Sequence, residues 1–252
     1  MPTTALCTYT NDAIYLRGRS LVDDLIGRMT FTDALYFLIF GREPKAAERR
    51  IVDAVLVTLM EHGLTPSAIA ARMVYGSGPE ALQAGVAAGL LAVASQFVGT
   101  MEPAARNLAA IVADPAGADA AAKRLADDYR ARREAMPGFG HHLHKPDDPR
   151  TPRLIAIAED ACVPGKHIAA LRALSREVDR AAGRHITINA TGAIAAVLSE
   201  IGIEPEIMRG LAVISRAAGL VAHIREEQRD PTLRAVWRAA ETAVPHESPA
   251  KA

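Results

Sequence analysis

Aromatic residues are scarce, 4% of a 252-residue chain with a single tryptophan, and the hydrophobic half of the composition is carried largely by alanine, leucine and valine. That balance excludes a strand-rich core built on aromatic pairs and points to helices. Cysteine is nearly absent. Cys7 and Cys162 stand far apart, with neither C-x-x-C nor a Cys/His zinc spacing, which argues against a disulfide scaffold or structural metal and makes the cytoplasm the default expectation. Net charge is also missing: 29 basic residues offset 29 acidic ones, so no global footprint for nucleic acid or an anionic membrane exists, although a local basic site can. An apolar leader is not apparent either, because Asp12, Arg17 and Arg19 interrupt the region an export signal would need. Only Ala81 to Gly99 approaches the length of a bilayer span. Its apolarity comes from Ala and Gly, Gln83 and Gln96 interrupt it, and no cationic flank anchors it, so it is expected to be buried in a soluble fold. Gly85 and Gly89 would let another helix approach closely, in a core or at a subunit interface.

Half the chain is hydrophobic and 23% charged, enough to bury a core as one large domain or two small ones and too apolar for intrinsic disorder. Thr8 to Arg17 suits a short hairpin turning at Asn11-Asp12. Beyond it the signals are helical. Thr30 looks like a helix start and Gly41 its stop; a helix follows over about 44–62, and Pro66, Pro79 and Pro103 open others, the second being the long Ala/Gly segment. Asp114-Pro115-Ala-Gly117 breaks the pattern before a charged helix over about 118–134. Asp148-Pro149 caps and opens a helix to about 161, and further helices are predicted over 165–182, 192–200, 205–225 and 231–243, with a frayed tail after Pro245. The fold class is all-α, without internal repeats.

Chemistry concentrates in Met136-Pro-Gly-Phe-Gly-His-His-Leu-His-Lys-Pro-Asp-Asp-Pro-Arg150. Glycines and prolines hold histidines, a lysine and an arginine between two helices, a loop that can bind anions through backbone N–H groups while a histidine donates to a carbonyl. A plain solvated connection is the alternative. Metal binding by His141, His142 and His144 is disfavoured, because close local spacing is expected to scatter them. The charged run Lys123, Arg124, Arg130, Arg132 and Arg133, interleaved with Asp127, Asp128 and Glu134, reads as a solvated helix face.

These residues resemble the citrate synthase family. Pro137-Gly-Phe-Gly-His141 with Asp148-Pro-Arg150 is similar to its P-G-[FY]-G-H…D-P-R motif. Ile14-Tyr-Leu-Arg-Gly18, Leu25-Ile, Phe31 and Tyr36 to Gly41 resemble its N-terminal region, Glu61-His-Gly-Leu-Thr-Pro-Ser67 its "DHG.N.S" segment, and Ser215-Arg-Ala-Ala-Gly-Leu-Val-Ala-His223 its "GR..G..AH" helix. The compact citryl-CoA lyase-like branch is the nearest match. The resemblance implies a helical homodimer, a large domain of residues 1–100 and 196–252, and a smaller inserted domain of 101–195. It implies closure over oxaloacetate and acetyl-CoA or citryl-CoA, with no metal expected.

Carried over residue by residue, His141 donates to the oxo or alkoxide oxygen, His62 orients the oxo acid, and Arg150 and Arg216 clamp its carboxylates. Pro137, Gly138, Phe139 and Gly140, with Lys145, lie against the coenzyme A nucleotide, and one or two arginines of the charged run can reach its phosphates. The bland readings are His62 as a helix cap, Arg216 as a buried helix partner and Lys145 as a solvated charge. Two positions depart from the family. Val98 stands for the enol-stabilising histidine of "PLHG", and Thr191 for the aspartate base of "N-V-D-G", where it would serve as a helix N-cap, as would Asn189. Glu102 is a candidate substitute base. The implied activity is C–C bond formation or cleavage of the citrate synthase or citryl-CoA lyase type, altered in rate or substrate; the rivals are a hydrolase or decarboxylase and a non-catalytic ligand-binding paralogue.

Overall fold

A computed structural model describes residues 1–96 and 98–247; Phe97 of the Gln96–Gly99 segment and the tail from 248 lie outside the described residues. The chain opens with a small antiparallel sheet, β1 (Cys7–Tyr9), β2 (Ile14–Leu16) and β3 (Arg19–Ser20), in that order. The expected hairpin is there, with Cys7 opposite Leu16. Its turn manages without glycine because Thr10 N–H donates to Ala13 O at 2.8 Å while the Thr10 hydroxyl holds Asp12 at 2.7 Å. The third strand was not foreseen. It follows a two-residue turn with positive φ at Arg17 (47°) and Gly18 (80°), the hairpin geometry that matches strand twist. Arg17 also donates to Leu38 O (2.8 Å) and Ile39 O (3.3 Å), capping the orphan carbonyls of the first helix.

Among the described residues eleven α-helices follow: α1 (Phe31–Phe40), α2 (Ala46–Leu59), α3 (Pro66–Ser77), α4 (Leu82–Leu91), α5 (Met101–Ala113), α6 (Ala118–Arg132), α7 (Arg150–Asp160), α8 (Lys166–Ala182), α9 (Ala190–Glu200), α10 (Pro205–Arg229) and α11 (Leu233–Ala243). Local chemistry sets many of their ends. Thr30 accepts from Asp33 N, Gly41 stops α1 in the left-handed region, and prolines open α3 and α10. The Ala/Gly helix is shorter than expected: Pro79 lies in a turn before it, it ends at Leu91, and a separate short helical turn occupies Val98–Thr100. Its glycines serve contacts within the chain. A Cβ on Gly85 would lie 3.0 Å from Ala71 O of α3, and one on Gly89 would lie 2.6 Å from Leu220 of α10 and 2.7 Å from Ser67 O. The outward face, with Leu82 and Leu91, is exposed.

The core centres on α9, whose Ala193, Ile194, Ala195, Ala196 and Leu198 have no exposed surface. Burying side chains such as Ile194 and Leu198 stabilises the fold by about 1.5–3 kcal/mol each. Small residues on most of α9 let α5, α7 and α8 pack close around it, each offering one apolar face; on α5 this is Met101, Ala104, Ala105, Leu108 and Ile111. Helix α10 is long and apolar enough to cross a membrane, yet half of its most apolar window is buried against its neighbours. The ends of α2, α7, α9 and the middle of α10 carry the side chains considered next.

Candidate active site

The histidine-rich loop is fastened to the strand-like run that enters α9. Gly140 N donates to Thr187 O (2.7 Å), Asn189 N to Gly138 O (3.0 Å), Asn189 Nδ2 to Gly140 O (2.9 Å) and Thr151 Oγ1 to Ile188 O (2.8 Å). Backbone meets backbone here: a Cβ on Gly192 would lie 2.4 Å from Gly138 O, so both glycines are needed for the approach. Asp148, fully buried, ties the arrangement together. It accepts from Ala190 N (3.0 Å) and Arg150 N (3.0 Å), and grips the Arg150 guanidinium at 2.9 and 2.7 Å. Burial pushes its pKa up, but the Arg150 hydrogen bonds and charge outweigh that and hold the carboxyl below its ordinary value. Sequence reasoning saw only a helix cap in Asp148; it is also what orients Arg150.

The loop histidines are not scattered, contrary to expectation. Nδ1 of His141 accepts from Leu143 N (3.1 Å) and His144 N (2.9 Å), a turn that stacks the His141 and His144 rings with centroids 4.4 Å apart. His62 comes from the α2–α3 connection to meet both, 5.6 Å from His141 and 5.3 Å from His144. Burial, then the neighbouring charges of His144 and His142, bring the His141 pKa down to about 4, so the ring is neutral at pH 7. With Nδ1 accepting two N–H groups, the neutral ring must carry its proton on Nε2. Ring nitrogens of His62, His141 and His144 lie within 4.8 Å of one another, close enough for a metal ion. On His141, however, Nδ1 is occupied and Nε2 is protonated, so this ring presents a donor rather than a ligand lone pair.

A single face of α10 completes the recess. Arg216, Gly219 and His223 recur at i, i+3 and i+7, and the end of α2 drops onto the bare glycine: a Cβ there would lie 1.9 Å from Met60 O. Glu61 consequently sits between the two flanking side chains, with Oε2 2.8 Å from His223 Nε2 and 3.8 Å from Arg216 Nη1. Arg216 is 6% exposed and its Nη1 has no hydrogen-bond partner. Burial depresses its pKa against the pull of Glu61, and Arg150 adds to the depression. His62 is depressed by burial, then by Arg150 and His144, with Arg216 contributing. The structure thus brings His62, His141, Arg150 and Arg216 into one electropositive neighbourhood. His62 lies beyond the end of α2 and is not its cap.

Thr191 falls in the first turn of α9, where its hydroxyl donates to Asn189 Oδ1 (2.7 Å) and lies 2.8 Å from the Thr100 hydroxyl. The N-cap is Asn189, which accepts from Gly192 N at 3.1 Å; α9 therefore starts two residues before the predicted Gly192. Val98, in the short turn beside Thr100, packs against the core. Glu102 is engaged by Arg106 (2.9 Å) and Arg209 (3.5 Å), a poor setting for a base.

A cavity of about 580 Å³ opens on the other side of the His141 loop, between α6 and α8. Phe139, Gly140, His141 and Lys145 line it, whereas Pro137 and Gly138 do not. Arg130, Arg184 and His185 add positive or protonatable groups. Asp179 (2.7 Å) and Asp147 (3.1 Å) flank His185 and raise its pKa. In the charged run Lys123 and Arg132 pair with Asp127 and Asp128 on the helix surface, but Arg130 is a cavity residue.

Fold and site together define a mostly helical protein with a compact anion-binding recess, two guanidinium groups and several imidazoles, next to a larger basic-rimmed cavity. The chain belongs to the citrate synthase family: the family model "Citrate synthase, C-terminal domain" matches residues 1–240. A solved citryl-CoA lyase from Hydrogenobacter thermophilus is 32% identical, with a TM-score of 0.82 over 100% of this chain and 97% of that one. The "Putative citrate synthase 2" of Mycobacterium tuberculosis is 29% identical over 81% of this chain and 54% of its own length, so this chain spans about half of that curated relative. A citrate synthase from Thermoplasma acidophilum, solved as a ternary complex with carboxymethyl coenzyme A and oxaloacetate, shares the fold with 22% identity and a TM-score of 0.71 over 88% of this chain and 58% of that one.

Proposed function

We propose that the chain binds a 2-oxo acid in the recess and a coenzyme A thioester in the adjoining cavity, and makes or breaks the C–C bond between them in the manner of citryl-CoA lyase or citrate synthase. The observation that carries this reading is the fixed tautomer of His141 beside Arg150 and Arg216. A donor held by two backbone N–H groups needs no reorganisation when an oxo oxygen gains charge, and paired guanidinium groups set the geometry of a dicarboxylate. On the cavity side Lys145, Arg130 and Arg184 suit the phosphates, and Phe139 the apolar parts, of a coenzyme A nucleotide.

On this reading Thr191 stands where the family has its aspartate base and Val98 where it has a histidine donor. A hydroxyl bonded to Asn189 and Thr100 cannot remove a methyl proton near neutral pH, so turnover is slow or the substrate differs. That same observation favours a second reading, a paralogue that binds the two ligands without turnover. We further propose that residues 1–100 and 196–252 form one domain and 101–195 a second that closes on it, since His62 and Arg216 come from the first and His141, Arg150 and Thr191 from the second. The proposed homodimer would cover the exposed outer face of α4.

Oxaloacetate release from (3S)-citryl-CoA, followed by coupled reduction with NADH, tests the activity. Slow release that vanishes in His141→Ala supports the enzyme, binding without release supports the paralogue, and neither binding nor release refutes both.

A further inference from the structure

We infer that Glu61 is a positioning residue for the oxo-acid half of the site, one carboxylate that sets both the His62 backbone and the Arg216 guanidinium. The inference rests on the recess being an oxo-acid site, as proposed above. Oε1 of Glu61 accepts from His62 N at 2.8 Å and from Gly63 N, which fixes the chain where His62 departs from α2. Oε2 faces the other way, toward His223 and Arg216. The 3.8 Å separation from Arg216 Nη1 is too long for a hydrogen bond, so Glu61 supplies counter-charge to a buried guanidinium without occupying its N–H group. An incoming carboxylate finds that group still open.

The orientation of Glu61 is itself enforced. Arg72, 2% exposed, donates from Nε to His223 Nδ1 at 3.0 Å and from Nη1 to Glu227 at 3.0 Å. With Nδ1 accepting, a neutral His223 carries its proton on Nε2, the nitrogen 2.8 Å from Glu61 Oε2. A polar chain from Glu227 through Arg72 and His223 therefore ends on the carboxylate that holds His62 and Arg216. Gly219 gives Glu61 the room to reach this place.

Calorimetry with oxaloacetate as the probe and coenzyme A as the control tests the role in wild type, Glu61→Asp and Glu61→Gln. Oxaloacetate affinity should fall in that order, by about tenfold or more for Glu61→Gln, with coenzyme A affinity unchanged. Equal oxaloacetate affinity in all three overturns the inference, and a parallel loss of coenzyme A affinity overturns it too by exposing a merely structural role. The ligand-free proteins provide an independent arm: a nuclear Overhauser contact between the His62 and His141 rings should be present in wild type and weakened in Glu61→Gln. If wild type binds no oxaloacetate the oxo-acid reading fails, whereas an Overhauser contact unchanged in Glu61→Gln refutes the role of Glu61.

Discussion

Gly219→Ala adds one methyl group at the point where α2 meets α10, and the structure makes two opposing effects calculable. Alanine is better than glycine inside a helix by about 0.8–1 kcal/mol. Against this, the new Cβ would lie 1.9 Å from Met60 O, 3.0 Å from Met60 C and 3.2 Å from Glu61 Oε2. Backbone cannot rotate away, so the end of α2 must withdraw by about 1 Å, an overpacking cost of roughly 1–3 kcal/mol. The net loss of stability is then small, about 0–2 kcal/mol. The effect on the site is larger, because the same shift carries Glu61 and His62 away from Arg216, and a misplacement of about 1 Å costs on the order of 10²-fold in a positioned site. Urea denaturation and oxaloacetate calorimetry on the same preparation give the comparison. A loss in binding energy exceeding the loss in stability is expected; a stabilised Gly219→Ala protein with undiminished affinity would refute the packing argument.

Further outcomes are expected elsewhere. Arg150→Ala removes a charge-assisted contact worth about 1.5–3 kcal/mol, so calorimetry should show oxo-acid affinity reduced about tenfold or more. Thr191→Asp should raise condensation of acetyl-CoA with oxaloacetate in a thiol-release assay, and adding Val98→His should raise it again; a general base is typically worth roughly 10²–10⁴ in rate. The folded His141 pKa of about 4 lies below its ordinary 6.5, so the unfolded chain binds more protons between these values. Its share of stability is complete above pH 6.5 and lost as pH falls towards 4, and urea midpoints across that range should drop less in His141→Gln. Gly89→Leu should unfold the monomer rather than only separate subunits, because its first carbon already meets Leu220 and Ser67 O; circular dichroism distinguishes the two.

Legibility in the sequence followed the range of the interaction. Thr30, Gly41 and Pro66 act within one helical turn, and α1 and α3 lie where they were predicted. Pro79 and the apolar composition after it misled, since nothing local marks the end of α4 at Leu91. Thr191 and Asn189 are equally good caps by residue type; tertiary bonds from Asn189 to Gly140 O decided between them. The stacking of His141 on His144 required the turn at Leu143, which spacing does not reveal. Glu61 and Asp148 act across elements distant in the chain, although Arg216, Gly219 and His223 at helical spacing already marked one face of α10 as a place for close approach.

The central claim is that His141 presents an Nε2–H donor to a bound oxo acid, and a long-range proton–nitrogen spectrum of the histidine rings, recorded during oxaloacetate titration, measures it directly. The account predicts that His141, assigned through His141→Gln, is a neutral Nε2–H tautomer at pH 7 whose Nε2 signals move as oxaloacetate saturates the protein. A protonated ring, an Nδ1–H tautomer, or His141 signals unmoved by saturating oxaloacetate would contradict it.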